Sequence, residues 1–237
     1  MIEHAARGLM RRARSTALGT SLRDRDGWAY VSLVTVACDG DGSPLLLLSD
    51  LAEHTRNLAA DSRGSLLFEA ASGRVNPQTG PRVSVLGRIE KSRDDRHLRR
   101  FLARHHSASL YAGFGDFFIY RMTVERAHYV AGFGRAHWID GDALLVDHRA
   151  AEDIAAIEPQ LLERVNAERA HDLTLFANRL LDRQGDGWGM VAVDPDGCDL
   201  KRKNALARLD FPRTVENSVV LAAMLDALAE QARSGES

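Results

Sequence analysis

Cysteine is nearly absent from this sequence: Cys38 and Cys198 are far apart and fit no metal-ligand spacing. That excludes a disulfide framework and a cysteine-based zinc site, so both thiols are expected to be reduced and partly buried. No apolar run approaches the roughly 20 residues that span a bilayer. The N-terminal MIEHAARGLMRRARSTALGT has basic residues but no apolar core or cleavage site. It reads as a short amphipathic helix instead of a signal peptide, and a cytoplasmic protein is expected. Charge of one sign is missing as well. A net charge of −2 and a pI near 6.5 give no reason to expect a nucleic-acid or membrane-surface partner. Neither Gly113-Phe114-Gly115 nor Gly132-Phe133-Gly134 makes a dinucleotide fingerprint, because the third glycine and the flanking strand and helix are lacking. No Ser-His-Asp set assembles from spacing.

What is present is an ordinary globular composition, 45% hydrophobic and 27% charged over 237 residues, enough for one large domain or two. STALGTSL and WAYVSLVTVACD flank the turn RDRDG and predict a hairpin. LLLLSD is a third strand, LAEHTRNLAAD a short helix, GSLLFEAA a fourth strand and RVSVLGRIEK a fifth. Ser92-Arg93-Asp94-Asp95 has capping-box spacing ahead of the amphipathic helix RHLRRFLARHH. In that helix His105-His106 is expected at an exposed end. Arg99-Arg100, like Arg11-Arg12, is expected on a solvated face. FFIYRMTVERAHYVAGFGRAHWI returns to strand character. Six such strands commonly close into a barrel, which removes exposed edges.

Composition changes near Asp147 to an Ala- and Leu-rich helical stretch with a break expected at Pro159. A hairpin around DPDG and a final apolar-striped helix follow. The reading is α+β: a barrel over residues 1–147 and an α-β-β-α domain over 148–237.

Between two apolar runs lies a knot of polar side chains: Ser49, Asp50, His54, Thr55, Arg56 and Asn57. A helix start with hydroxyl and cationic side chains suits an anion, and equally suits a capped, solvated helix N-terminus. Arg82 is either a cofactor contact or a surface charge beside Pro81. His137, with Phe133 and Trp138 nearby to cover a porphyrin face, is a candidate haem-iron ligand, or a strand histidine satisfied by a carbonyl. His128 and His171 are weaker candidates. Asp116 either orients a ligand or caps the strand that begins at Phe117.

The order of LLLLSDLAEHTRNL, PRVSVLGRIE and GDFFIYRMTVERAHYVAGFGRAHWI resembles the split-barrel proteins related to pyridoxamine 5'-phosphate oxidase. SDLAEHTRNLAAD and GFGRAHWI are similar to its HugZ-type haem-utilisation branch, and the C-terminal unit resembles the small domain that accompanies it. The resemblance implies a homodimer of six-stranded antiparallel split β-barrels with cofactors at the subunit interface. It implies haem as cofactor, with Arg82 and Arg135 toward the propionates and Asp116 supporting an axial histidine. In the flavin-binding relatives the segment matching Ser49 to Leu58 holds the flavin mononucleotide phosphate. That gives an alternative set of Ser49, His54, Thr55, Arg56, Asn57 and Arg82 around FMN.

Two departures matter. The oxidases have Lys where this chain has His54, and no Arg-x-His pattern occurs near the C-terminus, so pyridoxamine 5'-phosphate oxidation is not expected. No histidine follows His171, where haem-utilising relatives supply an axial ligand. The expectation is therefore a haem-binding protein that assists haem degradation or utilisation. The alternatives are an FMN-dependent oxidoreductase and a non-catalytic regulatory module of tetrapyrrole metabolism.

Overall fold

The computed structural model describes residues 2–132 and 135–235, so Phe133 and Gly134 lie outside the described residues. The chain forms two compact units, Met1–Leu145 and Val146–Ser237. Among the described residues no helix is long and apolar enough to cross a membrane.

The first unit contains α1 (Ile2–Arg12), β1 (Ser15–Ser21), β2 (Ala29–Thr35), β3 (Ala37–Cys38), β4 (Pro44–Ser49), α2 (Glu53–Ala60), β5 (Arg63–Glu69) and β6 (Arg82–Lys91). It continues with α3 (Asp95–Arg104), β7 (Phe117–Gly132), β8 (Arg135–Asp140) and α4 (Gly141–Leu144). The strands form one curled antiparallel sheet in the order β2-β1-β5-β6-β7-β4-β3, with β8 paired to β7. The count is eight where six were expected. Val36 leaves the ladder between β2 and β3, its N–H bonding Arg14 O instead. The chain then reverses after Gly132, whose φ of 143° suits glycine alone, splitting the last strand into a β7–β8 hairpin.

The sheet is open, with β2 and β3 as its edges. Main-chain carbonyls at the short β3 edge are satisfied by side chains. Arg11 donates to Asp39 O and Gly40 O, Arg100 Nε to Cys38 O at 2.8 Å, and His105 Nε2 bonds Val36 O at 2.8 Å. Arg11, Arg100 and His105 are therefore buried, in place of the solvated positions expected for them. Unpaired carbonyls next to the core require donors, and these reach them.

The run Leu45 to Leu48 is continuous because both faces of β4 are covered. Leu46 and Leu48 join the barrel core with Leu18, Phe68 and Met122. Leu45 and Leu47 pack with Phe101 of α3. The α3 cap is Asp94, which accepts from Arg96 N at 2.8 Å. Ser92 lies two residues too early. Its Oγ accepts from Asp94 N and sits 2.6 Å from His97 Nδ1. Gly87 marks a register shift between β6 and β7, and a Cβ there would strike the Thr123 carbonyl.

The second unit has α5 (His148–Glu168), α6 (Ala170–Leu175), a π-helical turn (Phe176–Leu180), β9 (Gly189–Asp194), β10 (Gly197–Arg202), β11 (Ala205–Asp210) and α7 (Ser218–Ser234). Helix α5 runs unbroken through Pro159. Three strands replace the expected two, in the order β11-β10-β9. The missed strand, ALARLD, carries two charged interruptions to its apolar pattern, Arg208 and Asp210. One of them, Arg208, is buried against Asp194. Leu200, Leu209, Phe176 and Phe211 anchor this second core. Cys38 and Cys198 are both free and buried, and burial pushes the Cys198 thiol up.

Candidate functional site

The polar corner sits where β4 hands over to α2, and its side chains diverge. Ser49 Oγ donates to Asp116 Oδ2 at 2.5 Å and accepts from Leu51 N. Asp116 also uses its main-chain oxygen to accept from Asp50 N at 2.8 Å. Asp50 pairs with Lys91 Nζ at 2.9 Å, and that ammonium rests over the Phe118 ring. His54 Nδ1 lies 3.1 Å from Ser32 Oγ, and burial lowers the pKa of its imidazole. The ring is thus held toward its neutral form. Thr55 and Asn57 are buried. The Asn57 amide bonds Thr20 Oγ1 at 3.2 Å and accepts from Arg23 N at 3.4 Å. Arg56 is exposed, as Asp50 is, with Glu53 at 3.9 Å.

Arg82 does not join this corner. It opens β6, and its guanidinium donates to Gln78 O and Gly80 O. Lys91, at the Asp50 end of β6, is nine residues away, or about 30 Å of extended strand. Arg135 and His137 are exposed on β8. His137 stands in register with Tyr129. The corner therefore gathers no cationic cradle from the residues expected to form one. A cleft of about 560 Å³ does lie beside it, lined by Leu58, Asp61, Arg88, Lys91 and Tyr120. Burial raises the Tyr120 phenol well above its usual value, and Asp50 adds to the shift.

The outward face of the sheet has a different chemistry. The strand register sets two continuous rungs across it. One runs through Val31, Gly19, Ser65, Leu86, Arg126 and Asp140. The next runs through Leu33, Ala17, Leu67, Ser84, His128 and Trp138. Val31, Leu33, Leu67, Leu86 and Trp138 are all exposed, Leu33 at 78% and Trp138 at 55%. So many large apolar side chains on one face mark a surface that is covered in use. Between them the floor is small, and a trough of about 480 Å³ opens over Gly19, Ser65 and Leu86. A Cβ on Gly19 would meet Ser65 Oγ. The His128 ring lies 4.8 Å from the Trp138 ring, and Arg126 Cζ sits 4.6 Å from the centre of the same indole.

Sequence reasoning passed over this platform. Its signal was the period-two alternation of Arg126, His128 and Val130 against the buried Ala127 and Tyr129. A bulge-like shift near Gly87 and the cross-strand partners are not visible in one strand. Among the described residues no group of three or more His, Cys, Asp or Glu side chains could hold a metal ion.

The comparisons with known proteins agree with this architecture. The chain is 25% identical over 225 residues to the "Non-canonical heme oxygenase HOZ, chloroplastic" of Arabidopsis thaliana, covering 92% of this chain and 69% of that protein. A solved structure of a protein of unknown function from Agrobacterium tumefaciens superposes with a TM-score of 0.76 at 27% identity, covering 95% and 94% of the two chains. A heme binding protein from Mycobacterium smegmatis superposes with a TM-score of 0.57 at 26% identity, covering 99% and 98%. The family model described as "CREG, beta-barrel" matches residues 3–145, nearly the whole first unit and more than half of the chain. This chain belongs to the CREG β-barrel family.

Proposed function

We propose that this protein binds haem as a cytoplasmic homodimer and serves haem breakdown or haem-iron utilisation. The observation that carries the reading is an apolar, exposed sheet face bearing a half-buried imidazole, His128, which packs on Trp138 and makes no hydrogen bond or ion pair among the described residues. The Arabidopsis relative is named as a heme oxygenase and the Mycobacterium one as heme binding, which supports the same reading. An apolar face suits a porphyrin, free imidazole nitrogens suit its iron, and exposed guanidinium groups such as Arg126 and Arg135 suit its propionates. Bound haem would supply an iron centre able to activate dioxygen with electrons from a reductant. The chain's own contribution is to orient the porphyrin and shield one face from water. Exposed Val31 and Leu33 on β2 favour burial against a second copy, which supports the homodimer.

The FMN alternative asks the corner to hold a phosphate. There Ser49 is engaged by a carboxylate, His54 is held toward neutrality and Thr55 and Asn57 face inward. The deciding experiment is an absorption titration of the purified chain with hemin and, separately, with FMN. A saturable Soret band at one haem per subunit supports the proposal. Flavin bands with quenched fluorescence transfer it to an oxidoreductase. Binding of neither leaves the regulatory module as the reading.

A further inference from the structure

We propose that His128 is the imidazole that ligates haem iron, on a platform made by Trp138, Leu67 and Leu86, with Arg126 meeting a propionate. This rests on the haem-binding reading above and assigns its residues. Among the described residues the His128 imidazole makes no hydrogen bond or ion pair, and its one recorded contact is the Trp138 ring at 4.8 Å. Half-buried polar groups normally find a partner, so an open imidazole on an apolar face points to a missing ligand.

Strand geometry supplies the rest. Period two puts Arg126 on the same face of β7 as His128, about 7 Å along the strand. Arg126 lies over the Trp138 ring and makes a 3.7 Å pair with Asp140, in which both of the paired side chains are more than half exposed. Such a pair contributes little and leaves guanidinium donors open. Ser84 lies directly across from His128 on β6, and Leu67 is next on β5. Three strands at about 4.8 Å spacing span about 10 Å, the scale of a flat macrocycle. The small floor at Ser84 and Ser65 leaves room above it.

Four other imidazoles of the first unit are placed differently. His54 pairs with Ser32, His97 with Ser92 and Asp39, and His105 with the Val36 carbonyl. His137 stands opposite the buried Tyr129, off the platform.

The test is a hemin titration of the full chain carrying His128→Ala, His137→Ala or Ser84→Phe, with far-UV circular dichroism to check folding. His128→Ala is expected to weaken hemin at least about tenfold and move the Soret band toward that of unligated hemin. Added free imidazole should restore the wild-type band, which a structural role for His128 would not allow. Ser84→Phe raises a ring directly across from His128 on the same rung and should block binding with His128 still in place. His137→Ala should behave as wild type. If wild type binds hemin and His128→Ala keeps its band and affinity, the ligand assignment is overturned while the haem reading stands. Loss of the band in His137→Ala alone overturns it in favour of β8. No saturable binding by wild type overturns both.

Discussion

Ser49 and Asp116 share a 2.5 Å hydrogen bond in which the serine hydroxyl donates to the carboxylate. The hydroxyl that the flavin-binding relatives aim at a phosphate is here tied to a negative charge. Asp116→Asn should therefore raise FMN affinity about fivefold, roughly 1 kcal/mol at this half-exposed position. Flavin fluorescence quenching measures it. Equal affinity in both proteins would remove the Ser49 corner from any phosphate contact.

Arg208 is the buried counterpart in the second unit, bonding Asp194 through Nη1 at 2.7 Å and Nη2 at 2.8 Å. Removing the guanidinium leaves Asp194 buried without its two-point partner. Arg208→Met should cost about 3–5 kcal/mol, and Arg208→Lys less, since an ammonium cannot bind both oxygens in parallel. Urea unfolding followed by the fluorescence of buried Trp188 reads the effect. A midpoint shifted by less than about 1 kcal/mol would show that the pair is dispensable.

Acid should weaken the first unit in two stages. Burial lowers the imidazole pKa of both His54 and His105 below the ordinary 6.5. Below 6.5 the unfolded chain takes up protons that the folded one refuses, so stability falls as pH drops from about 7 toward 5 and is flat above. Asp39 acts lower down. Burial opposes its charge, but the His97 hydrogen bond and the Arg100 charge hold its carboxyl well below the ordinary 3.8. Its stabilisation is full above 3.8 and is lost as pH falls below that toward the folded value. Thermal melts across pH 3–8 test this, and His54→Gln should flatten the first stage. A wild-type melting temperature constant from pH 7 to 5 would contradict it.

Leu33→Asp and Leu67→Asp place a charge on the outward sheet face without touching the core. Each should convert the proposed dimer to a monomer while leaving its circular dichroism unchanged. Sedimentation velocity decides. Dimers that persist in both variants would put the subunit interface elsewhere on the barrel.

The sequence by itself determined the element types of the barrel unit, the hairpin at RDRDG and the helix at HTRNL. Local alternation, turn residues and composition carry those features. It also placed the chain among split barrels, because the order of segments is a property of sequence alone. Tertiary structure decided three things. Arg11, Arg100 and His105 are buried because an edge strand's carbonyls need donors, and nothing local announces which arginine will reach them. The polar corner came apart because α2 directs alternate side chains to different sides: Thr55 and Asn57 inward, Arg56 outward. The platform of His128 and Trp138 exists only across strands. Its register is fixed by pairings between residues as distant in the chain as Ala17 and Leu67 or Ser84 and His128, and a pattern along one strand holds no record of its neighbours.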